Sequence, residues 1–159
     1  MDWQLLFTIF KESIYVLVVF GSFLILGLWK GRYFLVTFIF SLYLSLLFLL
    51  QFPFLENITS FSPLGSGVTQ TIVLSLFTIA SFFLFRRHIP GDDYEKTLEN
   101  FPLKVLLSGA ATVLVLAFTY TILPLSGIVG IDTPLEKLFA TEAYFFWWLI
   151  LPLMVLFFI

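Results

Sequence analysis

The chain contains no cysteine, which excludes disulfides, thiolate metal sites and cysteine nucleophiles. It has a single histidine, His88, and the expected spans contain no histidine–carboxylate metal cluster. Only 11% of its residues are charged, against about 25% in a soluble domain. The charges are absent in long runs, over residues 13–29, 33–55, 64–85, 105–131 and 143–159. A bilayer core about 30 Å thick needs roughly 20 apolar residues of helix to cross it. The pattern therefore predicts an all-α fold, a polytopic transmembrane helical bundle with about five spans. With 159 residues, 60% of them hydrophobic, the chain has room for one transmembrane domain over 1–159 and no soluble domain. The net charge of −2 sits in short loops and gives no electrostatic case for nucleic acid. Met1-Asp2-Trp3-Gln4 lacks a basic leader region, and no small-residue cleavage site follows the first run. The first span is therefore expected to act as an uncleaved anchor.

The expected spans are 13–29, 33–51, 64–85, 103–123 and 143–158. Residues 3–10 either lie along the interface or extend the first helix outward, with Lys11 and Glu12 marking the boundary. Lys30-Gly31-Arg32 is a very short link, and Gly31 can take the backbone conformation that a tight turn requires. The first two spans should therefore form an antiparallel hairpin. Pro53 and Pro124 end the second and fourth spans. The fifth would cover only about 24 Å, and Pro152 interrupts it.

Basic residues give the bundle a direction. Lys30, Arg32, Arg86, Arg87, Lys96 and Lys104 fall in loops on one side of the membrane; only Lys11 and Lys137 fall opposite. The positive-inside rule makes the first side cytoplasmic, with the N-terminus outside and, for five spans, the C-terminus inside. A re-entrant fifth helix would return the C-terminus to the outside. Trp3, Trp29, Tyr33, Tyr144, Trp147 and Trp148 lie near the expected ends, as interfacial aromatics do. Lys30, Gly31 and Arg32 form the hairpin turn, and Lys30, Arg32, Arg86 and Arg87 are expected to contact lipid head groups.

Two connectors read as short interfacial helices. The cytoplasmic one covers 91–101, with Asp92 capping its start, Pro102 closing its end, and Tyr94, Leu98 and Phe101 on one apolar stripe. It is either a solvated connector with an oily side or a partner-docking helix. The external connector covers 124–142 and carries Asp132-Thr133-Pro134-Leu135-Glu136, a helix-start pattern. Its Leu135, Leu138 and Phe139 are expected to face the bilayer surface. Asn57-Ile58-Thr59 matches a glycosylation sequon.

Within the spans the polar residues are small and periodic. They are Gly21, Ser22 and Gly27 in the first span, and Thr37, Ser41 and Ser45 in the second. The third has Thr71, Ser75 and Thr78, and the fourth has Ser108, Gly109 and Thr112, with Thr119 further along. Small residues let helix backbones approach closely, and hydroxyls bond across helices or back to their own carbonyls. These stripes read as the packing seam; a polar transport path is the alternative. No acid, base or amide sits mid-membrane, which argues against a proton-coupled carrier and against an intramembrane enzyme. No catalytic, cofactor-binding or metal-ligating residue is expected.

Gly27-Leu28-Trp29-Lys30-Gly31, between the first two spans, resembles the Gly-x-x-Arg/Lys-Gly signature of the colicin V production protein family. A third span, a short cytoplasmic connector and a fourth span with Ser108-Gly109-Ala110-Ala111 are similar in order, so the outline covers about 16–125. Lys30 stands where arginine is usual, and Val36-Thr37-Phe38 lacks the charged residue the family often carries there. The resemblance implies a bacterial inner-membrane accessory protein associated with colicin secretion and envelope homeostasis. Three functional classes remain: an accessory or assembly subunit with membrane-protein partners or lipid around it, which the residues favour; a small homo-oligomeric channel or transporter; and, least favoured by residue content, an intramembrane enzyme.

Overall fold

The computed structural model describes residues 3–55, 57–58, 66–88, 100–122, 139 and 142–158. Among them there is no strand, and the helices follow as α1 (Trp3–Lys30), α2 (Arg32–Gln51), α3 (Ser66–His88), α4 (Phe101–Ile122) and α5 (Glu142–Phe157). The first four are long and apolar enough to cross a membrane; α5 is apolar but shorter. The fold is an all-α helical bundle. Most of the connector over 91–101 lies outside the described residues, as do most of the external connector over 124–142 and Thr59 of the sequon.

Local chemistry accounts for the boundaries. Residues 3–20 include neither glycine nor proline, so α1 runs unbroken through Lys11 and Glu12 and the first segment extends the helix. Its 28 residues measure about 42 Å, more than a bilayer core requires. Gly31 ends it with φ 86°, ψ 172°, a left-handed value at which a side chain would be strained. The Gly31 N–H still donates to the Gly27 carbonyl at 3.0 Å, so one residue both closes α1 and precedes α2. At the other end of α2, Phe52 is extended (φ −76°, ψ 107°), as the residue before a proline prefers.

Two expectations at the start of α4 are overturned. Pro102 does not close the preceding connector; it sits in the first turn of α4, together with Phe101. The first helical N–H groups have no intrahelical acceptor, so proline loses nothing there. The first backbone bond of the helix runs from the Lys104 N–H to the Asn100 carbonyl at 3.1 Å, with Asn100 at φ 55°. Lys104 is consequently not a loop cation: it lies in the first turn of α4, and its side chain is fully buried. The third span also continues past residue 85, taking Arg86, Arg87 and His88 into its last turn. Positive charge is favourable at a helix C-terminus. His88 Nδ1 lies 2.9 Å from the Leu84 carbonyl, which can only accept, so this nitrogen carries the proton of the bond.

α4 is the centre of the bundle. It packs against α1, α2 and α5, and it touches α3 only marginally. Its buried positions include Leu107, Ala110, Ala111, Leu114 and Ala117, a run of small and branched residues that allows neighbours on several sides. α2 and α3 share the most extensive interface, built on phenylalanine pairs. Phe34–Phe82, Phe48–Phe77 and Phe52–Phe77 have ring centroids 5.2, 5.3 and 5.6 Å apart. Such offset and edge-on pairs are worth about 0.5–1.5 kcal/mol each beyond burial. α1 lies at the periphery, with Ile14, Leu17, Val18 and Ile25 exposed.

The tightest approach is at Gly27. A Cβ added there would lie 2.6 Å from Leu35 Cδ1 and 3.5 Å from Ser108 Oγ, so α1, α2 and α4 meet at this backbone. At Gly21 an added Cβ meets nothing within 4 Å, and at Gly109 it meets only Phe20 Cε2 at 3.9 Å. Gly27→Ala is therefore expected to destabilise the bundle by about 1–3 kcal/mol through overpacking against the buried Leu35. Gly21→Ala should be neutral or stabilise by up to about 1 kcal/mol from helix propensity. Detergent unfolding curves of the two variants measure the contrast.

Candidate functional site

The hydroxyl stripes resolve into two separate centres. At the first, Ser45 of α2 meets Thr78 of α3, with Thr78 Oγ1 2.8 Å from Ser45 Oγ and also 2.8 Å from the Leu74 carbonyl. A hydroxyl carries one proton, so Thr78 shares it between the neighbouring helix and its own. Ser45 in turn donates to the Leu42 carbonyl at 2.8 Å. The second centre is the Gly27 approach, where Ser108 of α4 lies beside Leu35 of α2. Ten residues of α2 separate Leu35 from Ser45, about 15 Å along the helix, so the two centres are at different depths.

Most of these hydroxyls satisfy themselves. Ser41 donates to the Thr37 carbonyl at 2.6 Å, Ser108 to Lys104 at 2.7 Å and Thr112 to Ser108 at 2.7 Å. Thr37, Ser41, Ser45, Thr78, Ser108 and Thr112 are all buried. Thr71 is half-buried and donates to Gly67 at 2.8 Å, and Thr119 likewise to Val115 at 2.7 Å. In hydrocarbon an unsatisfied polar group costs several kcal/mol, which the local bond to the preceding turn avoids. Ser22 and Ser75 lie elsewhere: both are exposed, and Ser22 donates to Val18 at 2.8 Å. Gly21 and Gly109 are half-buried.

A cleft opens where α3 and α4 diverge. Both flank α2, but they scarcely touch each other. The space between them is about 300 Å³. Phe38 and Leu42 form its α2 wall, Thr71, Ser75 and Thr78 its α3 wall, and Phe118 and Thr119 its α4 wall. Its lining is largely apolar, with the hydroxyls of Thr71, Ser75, Thr78 and Thr119 among it. The sequence stripes contain its α3 wall, but the divergence of α3 from α4 is a tertiary fact with no sequence signal.

The described cations other than Lys11 gather at one end of the bundle. From the Gly27–Leu35–Ser108 level, Lys30, Arg32 and Lys104 lie three or four residues, about 5 Å, toward that end. Arg86 and Arg87 close α3 at the same end and are exposed. Lys30 Nζ stands 4.8 Å from the centroid of the Trp29 ring, and the Arg32 guanidinium 5.1 Å from that of Tyr33. Cation and interfacial aromatic are thus held as pairs.

Three contributors escaped the sequence reading. Tyr43, midway along α2, donates its hydroxyl to the Leu149 carbonyl of α5. Pro152, inside α5, lacks the N–H that an uninterrupted helix offers the turn before it, next to this acceptor. A tyrosine this far from either helix end needs a partner, which was the available signal. Phe139 is a correction: it does not face the bilayer surface but is buried, with its ring centroid 5.9 Å from that of Tyr120 and 4.6 Å from that of Trp148. Lys104 is the third; its burial follows from the start of α4 described above. Among the described residues no group of three or more His, Cys, Asp or Glu is placed to hold a metal ion.

No protein-family model matches the chain, and comparisons with curated proteins and with solved structures return no match.

The Ser45–Thr78 bond is the polar link between α2 and α3. Removing it with Ser45→Ala and Thr78→Val, singly and together, should give a coupling energy of about 0.6 kcal/mol, typical of hydrogen bonds between membrane helices. A double-mutant cycle on detergent unfolding measures it. Tyr43→Phe removes the hydrogen bond from α2 to the Leu149 carbonyl of α5 and should cost about 1 kcal/mol in the same assay.

Proposed function

We propose that the chain is a non-enzymatic integral membrane accessory or assembly subunit that packs against partner membrane proteins or lipid in a bacterial inner membrane. The observation that carries this reading is the fate of its polar groups. Ser41 and Ser45 of α2 and Ser108 and Thr112 of α4 donate to their own helices, so they pack the bundle and offer little to a substrate. The outward faces are broad and apolar, as at Leu17, Val18 and Ile25 of α1 and at Ile72, Leu76 and Phe83 of α3. Such faces suit lipid or the helices of another subunit. The resemblance of Gly27-Leu28-Trp29-Lys30-Gly31 to the colicin V production signature points the same way. Two of its glycines have steric duties, Gly27 in the close approach and Gly31 in the left-handed turn.

The proposed orientation has Lys30, Arg32, Arg86 and Arg87 at the cytoplasmic face, the N-terminus outside and the C-terminus inside. A second reading, a small homo-oligomeric channel or transporter, is favoured by one observation: Thr71, Ser75, Thr78 and Thr119 border a cleft on the flank of the bundle. Several copies would have to turn these hydroxyls toward a shared pore.

One measurement tests the orientation and a second decides between the readings. In a chain free of cysteine, Glu56→Cys and Glu136→Cys should be labelled by an impermeant thiol reagent from outside, and Glu95→Cys should not. Labelling at residue 95 alone would reverse the orientation. Native mass measurement after mild detergent extraction should show the chain with a different membrane protein. A homo-oligomer that conducts ions in liposomes would replace the accessory reading by the channel.

A further inference from the structure

The hydroxyl contact between Ser45 and Thr78 sets the register of two antiparallel helices. Phe38, the cleft residue of α2 nearest the basic end, lies seven residues before Ser45, about 10 Å below it. Arg86 lies eight residues beyond Thr78, about 12 Å below the same level. On α3 the cleft ends at Ile79, seven residues or about 10 Å before Arg86, so Arg86 stands below the cleft on its basic-end side. It also shares the cleft's face of α3: eleven residues after Ser75 is almost a whole number of turns, leaving an offset of about 20°. Arg87 is turned about 100° further round. Lys30 and Arg32 are engaged with Trp29 and Tyr33, and His88 with the Leu84 carbonyl. Arg86 is exposed and makes no hydrogen bond, ion pair or ring contact with a described residue.

An exposed guanidinium thus sits below an apolar, laterally open groove of about 300 Å³. We propose that the α2–α3–α4 cleft holds an acyl chain of an anionic phospholipid whose phosphate pairs with Arg86. The guanidinium fork matches phosphate oxygens in a bidentate geometry, and basic residues at the mouths of clefts between membrane helices select anionic head groups. The chain of such a lipid rises along the exposed α3 face, past Phe83 and Ile79, and enters between Leu42 and Phe118. The site requires α3 to cross the membrane. It rests on the proposed orientation only for the leaflet, and the accessory role does not enter.

The test uses the full chain in mild detergent with phosphatidylglycerol or phosphatidylcholine of identical acyl chains, read by native mass measurement. One phosphatidylglycerol should be retained about fivefold more strongly than phosphatidylcholine, the weight of one arginine at an anionic surface. Arg86→Gln should bring the two lipids to parity, while Arg87→Gln keeps the preference. Ser75→Trp, which fills the groove, should lower retention of both lipids. Equal retention of the two lipids by the unaltered chain overturns the proposal. So does an equal effect of the two arginine variants, which would mean diffuse surface charge. A dimer that Ser75→Trp dissociates also overturns it, because a second copy would then be the occupant. If Ser75→Trp fails to fold, the arginine pair, outside the packed core, still decides. Loss of a partner subunit, or reversed labelling at residue 95, would remove the accessory reading or the orientation and leave this preference standing.

Discussion

Hydrocarbon offers no hydrogen bonds, and this one constraint shapes the rest of the molecule. Every buried hydroxyl has to find an acceptor inside the protein, and the carbonyl one turn back is the nearest. Ser41, Ser108 and Thr112 take that solution. Once satisfied, a serine or threonine is a small side chain over which another helix can slide close. That is why the same residues that look polar in the sequence sit in the driest part of the bundle. Where a local bond is not enough, the constraint calls in another helix: Tyr43 serves a carbonyl beside Pro152, and Thr78 reaches Ser45.

The close packing around α4 depends on this economy. With its hydroxyls bonded back, α4 presents Ala110, Ala111, Leu114 and Ala117 to neighbours on several sides. Gly27 then lets α1 come within contact of Leu35 and Ser108. The α2–α3 interface follows a different principle, with large rings offset against one another and the Ser45–Thr78 hydroxyl link between them. Because α3 is held by α2 and hardly by α4, a wedge opens on that flank. The bundle thus has a compact side of small residues and an open side of phenylalanines and hydroxyls. The basic end lies beneath both.

Much of the fold was legible in the residues, and the reasons are physical. Charge-free runs of about 20 residues can only be accommodated in lipid as helices, and four of the five runs fall in helices long and apolar enough to cross a membrane. Gly31 between two cations marked the hairpin, because its left-handed backbone admits no ordinary side chain without strain. What was misread lay at helix starts and in aromatic partners. Pro102 ends one segment or begins another with equal local logic, and only the backbone bond from Lys104 to Asn100 distinguishes them. Phe139 belongs to an amphipathic pattern that would suit a bilayer surface, yet its ring stacks between Tyr120 and Trp148, contributed by two different helices.

By itself, the sequence determined the solvent of this protein, its all-α class, the turn at Gly31 and the end at which most positive charge collects. These are properties of single segments, decided by hydropathy, backbone geometry and charge along the chain. The tertiary structure alone decided which glycine is tight, which hydroxyl crosses to another helix, that Lys104 is buried and that a cleft opens above Arg86. Each of these depends on the distance between helices remote in the chain. A period of 3.6 residues says which side chains share a face, but not what that face meets.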